Sequence, residues 1–396
     1  MIEIQGKRNS AIVYADKIDK ETKTQIASLL RNAAYADSKI RIMPDTHSAK
    51  GTVVGTTMTL SGRVNPMLLG VDIGCGMEVV TLSHTEVDYE KLDKLIHEQI
   101  PHGAKIRSAP LAFAESLPLS QLHCKDGVNI ERALLSLGTL GGGNHFIEID
   151  KAASGMLYLV IHSGSRQLGH DVASYYQDKA YRYACKKARK NQRYSMYDRR
   201  NRDEYYTKAE RRAEKNMPKI NPEEAILEGE LYTQYLDDIA IVTEFAERNR
   251  RAMAEIICDS MGFAVSDRFS CPHNYIEAET NLLRKGAISA RQGEKVIIPL
   301  NMRDGAILGT GLGNPEWNFS APHGAGRACS RTDAKYAYTL EEYKAQMQGI
   351  FTTTAEAGSL DECPMAYKAP ERILSQIGET VTVNEIIRPV YNFKSC

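Results

Sequence analysis

The chain has 396 residues, of which 42% are hydrophobic and 25% are charged, and its 50 Lys and Arg residues balance 50 Asp and Glu residues. This composition allows a large buried core, excludes a wholly disordered chain, and gives no indication of an acidic partner. No apolar stretch approaches the roughly 18 residues of a transmembrane helix, and the first residues lack a signal-peptide pattern. We therefore expect a cytoplasmic protein that is not inserted in a membrane.

Short apolar runs bounded by Gly and Pro predict strands along much of the chain. The clearest runs are 52–60, 77–82, 157–162 and 295–300. Their β-branched residues and the turn residues around them are typical of buried or half-buried strands. Because these runs do not alternate regularly with helical segments, the sequence favours an α+β fold over a βαβ repeat.

A helical pattern replaces the strand pattern at about 170–262. Asn221-Pro-Glu-Glu is typical of a helix start, since an Asn cap, an early Pro and acids in the first turn all stabilise a helix N-terminus. Apolar residues within 239–246 follow helical spacing, and Gly262 suits a helix end. We predict one large α+β domain over 1–396, whose strand-rich core carries the active site and whose helical excursion covers about 170–262.

Cys75 differs in its surroundings from the other cysteines. The chain has eight cysteines without a CxxC motif, which indicates mostly free, inert thiols rather than a disulfide framework. Cys75, however, lies in the glycine-rich turn Gly70–Met77, three residues after Asp72. A carboxylate and a thiolate together suit a divalent transition metal such as Mn, Zn or Fe. Taken alone, such a motif is more often only a turn with a buried thiol.

Four of the ten histidines lie in turns punctuated by Gly or Pro. These four are His145, His162, His273 and His323. The first three, together with Asp72 and Cys75, exceed what one ion needs, whereas two ions sharing the thiolate would use them all. Two-metal sites serve phosphoryl chemistry. His323 suits either a sixth ligand or a nucleophile, and the spacing does not choose between these roles.

Two of these turns also have the residue types of phosphate-binding loops. Gly141-Gly-Gly-Asn-His145 has three glycines that permit close approach of the backbone to a ligand. His162-Ser-Gly-Ser-Arg166 places an arginine beside hydroxyls and glycines. We infer that a phosphate group binds near the metal.

Taken in order, these motifs resemble the RtcB family of RNA-splicing ligases. The segments that carry the resemblance are 43–47, 71–76, 142–148, 162–166, 273–275, 321–327 and a lysine near the C-terminus, Lys394. They are collinear over nearly the whole chain. The resemblance implies an RtcB-like fold and a ligase that depends on GTP and Mn²⁺. Such an enzyme joins an RNA 3′-phosphate or 2′,3′-cyclic phosphate to a 5′-hydroxyl end, in RNA repair or tRNA splicing.

The resemblance also implies roles for individual residues. His323 would be the nucleophile that becomes guanylylated, and Asp45 would orient its imidazole. Two Mn²⁺ ions would share Cys75, with Asp72 and His145 completing one site and His162 and His273 the other. The nucleotide would be contacted by Asn144, Glu148, Asn274, Asn301, Asp304, Gly324, Gly326 and Lys394. The arginines implied to contact RNA or phosphate are Arg166, Arg327 and Arg331.

One segment departs from the family pattern. Pro299-Leu-Asn-Met-Arg-Asp-Gly305 lacks two hydroxyls that most members have near the nucleotide. Asn301 can still donate and accept hydrogen bonds, and Asp304 is a candidate for a guanine-edge contact. Met43–Lys50 also differs from the usual form. Together these features resemble a divergent branch found beside a release-factor-like protein, which makes that protein, or an activating protein, a candidate partner.

Two other classes of function stay open. A metal-dependent cyclic phosphoesterase would result if the altered Pro299–Gly305 segment had destroyed GTP binding. A non-catalytic RNA-binding or partner-binding protein on the same scaffold is the other alternative, although such a protein has no need for a complete set of metal ligands.

The segment 181–219 has two interpretations of similar weight. It contains 14 Lys and Arg residues, 5 Asp and Glu residues and six of the 20 tyrosines. A solvated amphipathic helix explains this composition. A surface for the RNA backbone explains it equally well, since tyrosines among basic residues can stack on unpaired bases.

Overall fold

Strands form the framework of the computed structural model, which describes residues 1–199 and 220–395. The strands are β1 (Ile2–Gln5), β2 (Ser10–Val13), β3 (Ile40–His47), β4 (Val54–Thr59), β5 (Arg63–Val64), β6 (Gly76–Leu82), β7 (Phe146–Lys151), β8 (Leu157–Ser163), β9 (Leu227–Glu228), β10 (Val265–Pro272), β11 (Asn274–Glu277), β12 (Leu282–Lys285), β13 (Ala287–Ser289), β14 (Lys295–Asn301), β15 (Gly305–Gly311), β16 (Ser320–Pro322) and β17 (Val381–Lys394). The helices are α1 (Lys20–Leu29), α2 (Tyr89–Gln99), α3 (Ile130–Leu135), α4 (Arg166–Arg199), α5 (Glu230–Met261), α6 (Arg331–Ala337), α7 (Leu340–Gln346) and α8 (Pro370–Leu374).

Two large sheets carry most of these strands. A seven-stranded sheet has the order β10-β6-β8-β7-β17-β15-β14, and all its neighbours are antiparallel. A six-stranded sheet has the order β1-β2-β3-β4-β12-β11, in which only β2 and β3 run parallel. The predicted α+β fold is therefore confirmed. The predicted strands at 52–60, 77–82, 157–162 and 295–300 correspond to β4, β6, β8 and β14.

The long helix α5 contributes to two of the hydrophobic clusters. Tyr235 and Phe245 in its first half pack with α4 and the six-stranded sheet. Met253 and Ile257 in its second half pack with α2 and the seven-stranded sheet. An apolar face this long is what a helix needs to be stabilised by tertiary packing. Both sheets therefore pack against the same helix. Their edge strands β10 and β11 are neighbours in the chain and are separated only by His273.

In the described parts of the predicted helical excursion, α4 and α5 confirm it, but the predicted helix start at Asn221 is wrong. Asn221 does accept a hydrogen bond from the backbone of Glu223, yet it caps only a single 3₁₀ turn, Pro222–Glu224. The chain then becomes extended, because β9 pairs with β5. The long helix α5 begins only after Gly229, which has a φ of 61°. The predicted end at Gly262 is confirmed, since this residue adopts the left-handed conformation that closes the helix.

In the segment 181–219, the structure describes the side chains of residues 181–188. There Lys187 forms an ion pair with Glu228 at 2.6 Å, and the Tyr183 hydroxyl donates to the same carboxylate at 2.9 Å. These two side chains therefore contact the body of the protein. The side chains from 189 to 219 lie outside the described residues, so both interpretations of this segment stay predictions.

Two further sequence-based expectations concern cysteines and membranes. The cysteines within the described part of the chain, Cys396 not included, are all free. Among residues 1–199 and 220–395, no helix is both long enough and apolar enough to cross a bilayer.

Candidate active site

Strand register brings the predicted metal ligands together. His162 of β8 lies opposite Met77 of β6 on one side and opposite Phe146 of β7 on the other. The turns that precede β6 and β7 carry Cys75 and His145, so both reach the same end of the sheet. The backbone N–H of His273 donates to the Cys75 carbonyl at 2.8 Å. Residues about 200 positions apart in sequence therefore surround one point.

A buried arginine locks this arrangement. Arg250 of α5 is fully buried and donates to the carbonyl of Gly74 at 2.8 Å and to that of Ser163 at 3.0 Å. It therefore ties the turn that carries Cys75 to the strand that carries His162. Motif spacing did not reveal this residue, because Arg250 lies within a long helix and belongs to no motif. Its contacts with Gly74 and Ser163 form only in the folded protein.

Cys75, His145 and His162 form a compact group of potential metal ligands. The Cys75 Sγ lies 3.3 Å from the Nε2 of His162 and 3.6 Å from that of His145. Each of these imidazoles places its Nδ1 next to a backbone carbonyl, that of Leu140 for His145 and that of Asn144 for His162. Since a carbonyl only accepts, each Nδ1 carries the proton and each Nε2 lone pair faces the thiol.

The ionisation of this group also suits a metal. Burial lowers the pKa of His145, and it lowers the pKa of His162 well below the ordinary value, so both rings are neutral. Burial, with the nearby Asp72 carboxylate adding to it, raises the pKa of the Cys75 thiol well above its usual value. The thiol therefore keeps its proton until a cation displaces it, which makes cation binding proton-coupled.

His273 and Asp72 flank the compact group. The His273 ring lies 5.2 Å from that of His162 between centroids, and its buried Nδ1 has no hydrogen-bond partner among the described residues. A Cβ at Gly164 would lie 2.6 Å from the Asp72 Oδ1, so the carboxylate packs directly against this glycine. Neutral imidazoles, one of them with an orphaned nitrogen, a thiol and a carboxylate form a donor set that fits transition-metal ions. The five predicted ligands are thus brought together, although only three form the tightest group.

His323 is held by a buried carboxylate. Its Nδ1 donates to the Asp45 Oδ2 at 2.7 Å, and Asp45 is 0% exposed. This bond fixes the tautomer whose Nε2 carries the lone pair. Gly326, with a φ of 74°, allows the loop to approach Asp45 so closely that a Cβ there would lie 2.4 Å from the Asp45 carbonyl oxygen. This geometry suits both roles that the sequence leaves open for His323, nucleophile and ligand, because a metal-binding imidazole is oriented by the same kind of hydrogen bond.

The imidazole of His323 lines a cavity of about 280 Å³. The predicted site residues that share this cavity with it are Asp72, Asn144, Glu148, His162, His273, Asn274, Asn301, Gly324, Gly326, Arg327, Arg331 and Lys394. The His323 and His273 rings are 4.9 Å apart between centroids, so the cavity joins the candidate nucleophile to the metal ligands.

Arg166 lies on the other side of the metal ligands. It lines a second cavity of about 410 Å³ together with Arg132 and His145, and Asp72 and Asn144 belong to both cavities. Its guanidinium donates to the Thr139 hydroxyl at 3.0 Å and to the Gly103 carbonyl at 2.7 Å. The metal ligands therefore form a wall with a polar cavity on each side.

The altered segment forms the hairpin between β14 and β15. The side-chain Oδ1 of Asn301 accepts from the backbone N–H groups of Arg303 and Asp304, and its Nδ2 donates to the Asp304 carboxylate at 2.8 Å. Arg303 also holds this carboxylate through two hydrogen bonds, at 2.9 and 2.8 Å. Asn301 therefore lines the main cavity with its amide already engaged, whereas Asp304 lines a neighbouring cavity and is not brought to the main one.

Two charged residues of the cavity were missed by motif analysis. Lys285 is buried at the end of β12, donates to the Lys50 carbonyl at 2.5 Å, and has its pKa lowered by burial to about 8. Lys285 belongs to no motif, and its burial at the end of β12 is visible only in the structure. Glu362 contacts Lys394 at 2.9 Å, but it lies in an irregular 3₁₀ segment without any motif.

The fold and the site define an α+β protein with a buried cysteine–histidine metal-binding group beside a carboxylate-bound histidine. A family model described as tRNA-splicing ligase RtcB matches residues 27–123 and 115–395. The chain therefore belongs to the RtcB family of tRNA-splicing ligases, as the order of its motifs indicates.

Individual relatives agree with this assignment. The RNA-splicing ligase RtcB of Escherichia coli (strain K12) is 30% identical over 390 residues, which cover 89% of this chain and 88% of the relative. The tRNA-splicing ligase RtcB of Aeropyrum pernix is 25% identical in an alignment 484 positions long, which covers 97% of this chain and 94% of the relative. The similarity therefore extends over nearly the full length of both proteins.

Proposed function

We propose that the protein is a GTP- and Mn²⁺-dependent RNA ligase that joins 3′-phosphate or 2′,3′-cyclic phosphate ends to 5′-hydroxyl ends. The observation that carries the proposal is the pair formed by His323 and the buried Asp45, whose geometry leaves the Nε2 of His323 free in a cavity bordered by metal ligands. Membership of the RtcB family, whose relatives are named RNA-splicing or tRNA-splicing ligases, supports the same substrate class.

The covalent step would take place at His323. Its Nε2 attacks the α-phosphate of GTP, so that a P–N bond forms while the bond to pyrophosphate breaks. Asp45 accepts the hydrogen bond from Nδ1 throughout and stabilises the cationic ring that develops. This histidine–GMP intermediate divides one difficult displacement into two easier ones.

The later steps use the stored GMP. An oxygen of the RNA 3′-phosphate attacks the phosphorus and breaks the P–N bond, which leaves a 3′-diphosphate link to guanosine. The 5′-hydroxyl then attacks the RNA phosphate, and GMP leaves with the electron pair. A cyclic phosphate must first be opened by water. Activation is needed because the 5′-hydroxyl could displace only a strongly basic oxygen from an unmodified 3′-phosphate, whereas GMP is a much better leaving group.

The metal site would serve this charge-rich chemistry. Asp72, Cys75 and His145 would hold one Mn²⁺, and Cys75 would share a second ion with His162 and His273. Bound divalent ions neutralise the charge that accumulates when one phosphate approaches another.

The nucleotide would lie in the main cavity. Lys394 provides an ammonium donor, and Glu148 a carboxyl acceptor whose pKa burial raises to about 7. A guanine edge, with its keto oxygen next to N–H donors, is complementary to this pair. Asn144, Asn274 and the loop that carries Gly324 and Gly326 would contact the rest of the nucleotide.

The RNA would use the arginines around the two cavities. Arg166 faces the second cavity, across the metal ligands from His323, so an RNA end bound there would meet the reaction centre from the side opposite to the nucleotide. Arg327 and Arg331 line the main cavity and are our candidates for contacts with the phosphates of the other end.

Labelling with α-³²P-GTP and Mn²⁺, followed by denaturing electrophoresis, tests the covalent step. We expect an acid-labile, alkali-stable label that is lost in His323→Ala. It should be retained in His123→Ala, which removes a matched surface imidazole that also contacts a carboxylate, Asp237, at 3.2 Å. Label that survives in His323→Ala would overturn the mechanism, and label from ATP in place of GTP would overturn the choice of nucleotide.

A metal-dependent cyclic phosphoesterase is the second candidate, and the β14–β15 hairpin favours it. Both Asn301 and Asp304 are engaged within the hairpin, so neither offers a free group in place of the missing hydroxyls. Opening of a 2′,3′-cyclic phosphate without any nucleotide adduct would identify this activity. Absence of both reactions in metal-loaded protein would leave a non-catalytic RNA-binding role.

A further inference from the structure

Glu362 is the meeting point of four side chains that line the main cavity. It is 2% exposed. Its Oε2 accepts from the Lys394 ammonium at 2.9 Å and from the Tyr367 hydroxyl. Its Oε1 lies 2.6 Å from the Arg331 guanidinium and 3.1 Å from that of Arg327. One carboxylate thus engages three cationic side chains of the cavity lining, those of Arg327, Arg331 and Lys394.

The charge of Glu362 is secure. Burial by itself would raise the pKa of its carboxyl, but Lys394 and Arg331, helped by hydrogen bonds from Tyr367 and Lys394, bring the pKa down to about 2. The carboxylate is therefore ionised at every pH at which the protein would be assayed, and it holds Lys394 through a charge-assisted hydrogen bond.

A second carboxyl is available to the same lysine. Lys394 pairs with Phe146 in the register of β17 and β7, and two residues further along the same face of these strands Asn392 pairs with Glu148. The charge of Lys394 lowers the pKa of Glu148, opposing the larger effect of burial, so the two groups interact across the cavity. Glu148 accepts a hydrogen bond from the Asn392 amide at 2.6 Å, whereas the Lys394 ammonium lies 2.9 Å from the Glu362 carboxylate. The lysine thus lies between two carboxyls and is bound to Glu362.

We propose that Glu362 is a positioning residue that sets base selectivity by keeping Lys394 paired with it and away from Glu148. This inference rests on the proposed function. A keto-bearing purine needs a donor and an acceptor held apart on one wall. If Lys394 and Glu148 paired with each other, each would satisfy the other, and neither would recognise the base. Neither Glu148 nor Lys394 can maintain this separation alone, since opposite charges attract strongly in a buried site.

The test is Glu362→Gln, which keeps the shape of the side chain and removes its charge. We expect the KM for GTP in adduct formation to rise by about tenfold or more, and the preference for GTP over ATP to fall by about tenfold, while kcat changes less than about threefold. Asp361→Asn is the matched control, because Asp361 is the adjacent carboxylate and forms its ion pairs with Arg331 and Lys335. Its KM and nucleotide preference should stay within about twofold of the wild type.

A double-mutant cycle separates repositioning of Lys394 from general damage. In a Glu148→Gln background, Lys394 has no carboxylate to turn to, so Glu362→Gln should no longer change the nucleotide preference. Glu362→Asp, which keeps the charge on a shorter side chain, should retain part of the preference if the glutamine variant fails to fold. An unchanged GTP preference in folded Glu362→Gln overturns this inference alone. Absence of any adduct in the wild type overturns both this inference and the proposed function.

Discussion

The two ends of the main cavity satisfy their polar groups in opposite ways. At the metal end, neutral imidazoles direct their Nε2 lone pairs at a protonated thiol, and the Nδ1 of His273 has no partner among the described residues. At the other end, the single carboxylate of Glu362 engages four donors. Buried polar atoms are normally paired, so the shortage of partners at the metal end needs an explanation that the other end does not.

The metal end is therefore suited to bind a cation from solution, whereas the Glu362 end is stabilised by ion pairs between its own side chains. At the metal end, a bound cation would supply a partner for the lone pairs of the neutral imidazoles, including the Nδ1 of His273. The Glu362 end is already complete, and it supports the cavity wall against which a nucleotide would lie. Variants at the first end should therefore remove chemistry, whereas variants at the second should change affinity and stability.

The largest expected effect follows loss of the thiol shared by the proposed metal sites. Cys75→Ala should abolish both metal binding and ligation, because the sulfur is the common neighbour of His145 and His162. Metal content after dialysis, measured by mass spectrometry, and ligation of a defined RNA pair are the readouts. Cys258→Ala, which removes a buried thiol from α5, should keep its metal. A Cys75→Ala protein that binds metal normally would contradict this assignment.

The next effect is expected at the carboxylate behind the nucleophile. Asp45→Asn should slow adduct formation on the order of 10³- to 10⁴-fold, because an amide that donates to Nδ1 fixes the wrong imidazole tautomer. The metal content should remain that of the wild type. Single-turnover labelling with GTP measures the rate, and a reduction of less than about tenfold would mean that Asp45 does not orient His323.

A smaller effect concerns the acceptor of the nucleotide wall. The pKa of Glu148, raised by burial to about 7, means that this carboxyl becomes ionised as the pH rises through neutrality. If the ionised form accepts from the base, GTP affinity should increase by up to about tenfold per pH unit between pH 6 and 7 and level off above. Equilibrium titrations across this range measure it. Glu148→Gln should bind more weakly and lose the pH dependence, and an identical profile would refute the role.

The smallest effect is expected in stability at the Glu362 end. The folded pKa of Glu362, about 2, lies below the ordinary value of 4.5, so its ion pairs stabilise the fold above pH 4.5 and lose this contribution as the pH falls toward 2. Glu362→Gln should therefore melt a few degrees below the wild type at pH 7, and the gap should narrow below pH 4.5. Thermal unfolding followed by circular dichroism tests this, and a gap that does not depend on pH would contradict it.

The sequence by itself determined the features that depend on local chemistry. Strands such as β6 and β8 follow from short apolar runs between turn residues, and Gly262 ends α5 because glycine adopts a left-handed conformation at little cost. Cys75 and the histidines stand out because glycine-rich turns around reactive side chains are visible in any sequence. Their order also identified the family.

Tertiary structure decided everything that depends on contacts between distant segments. Asn221 has all the local signals of a helix start, yet pairing of β9 with β5 postponed the helix to Glu230. Asp304 has the right chemistry for a base contact, but Arg303 and Asn301 hold it in the hairpin. Glu362 has no motif at all. Its importance comes from cationic side chains that lie up to 35 positions away in sequence, because ion pairs are made by distance in space and not by spacing along the chain.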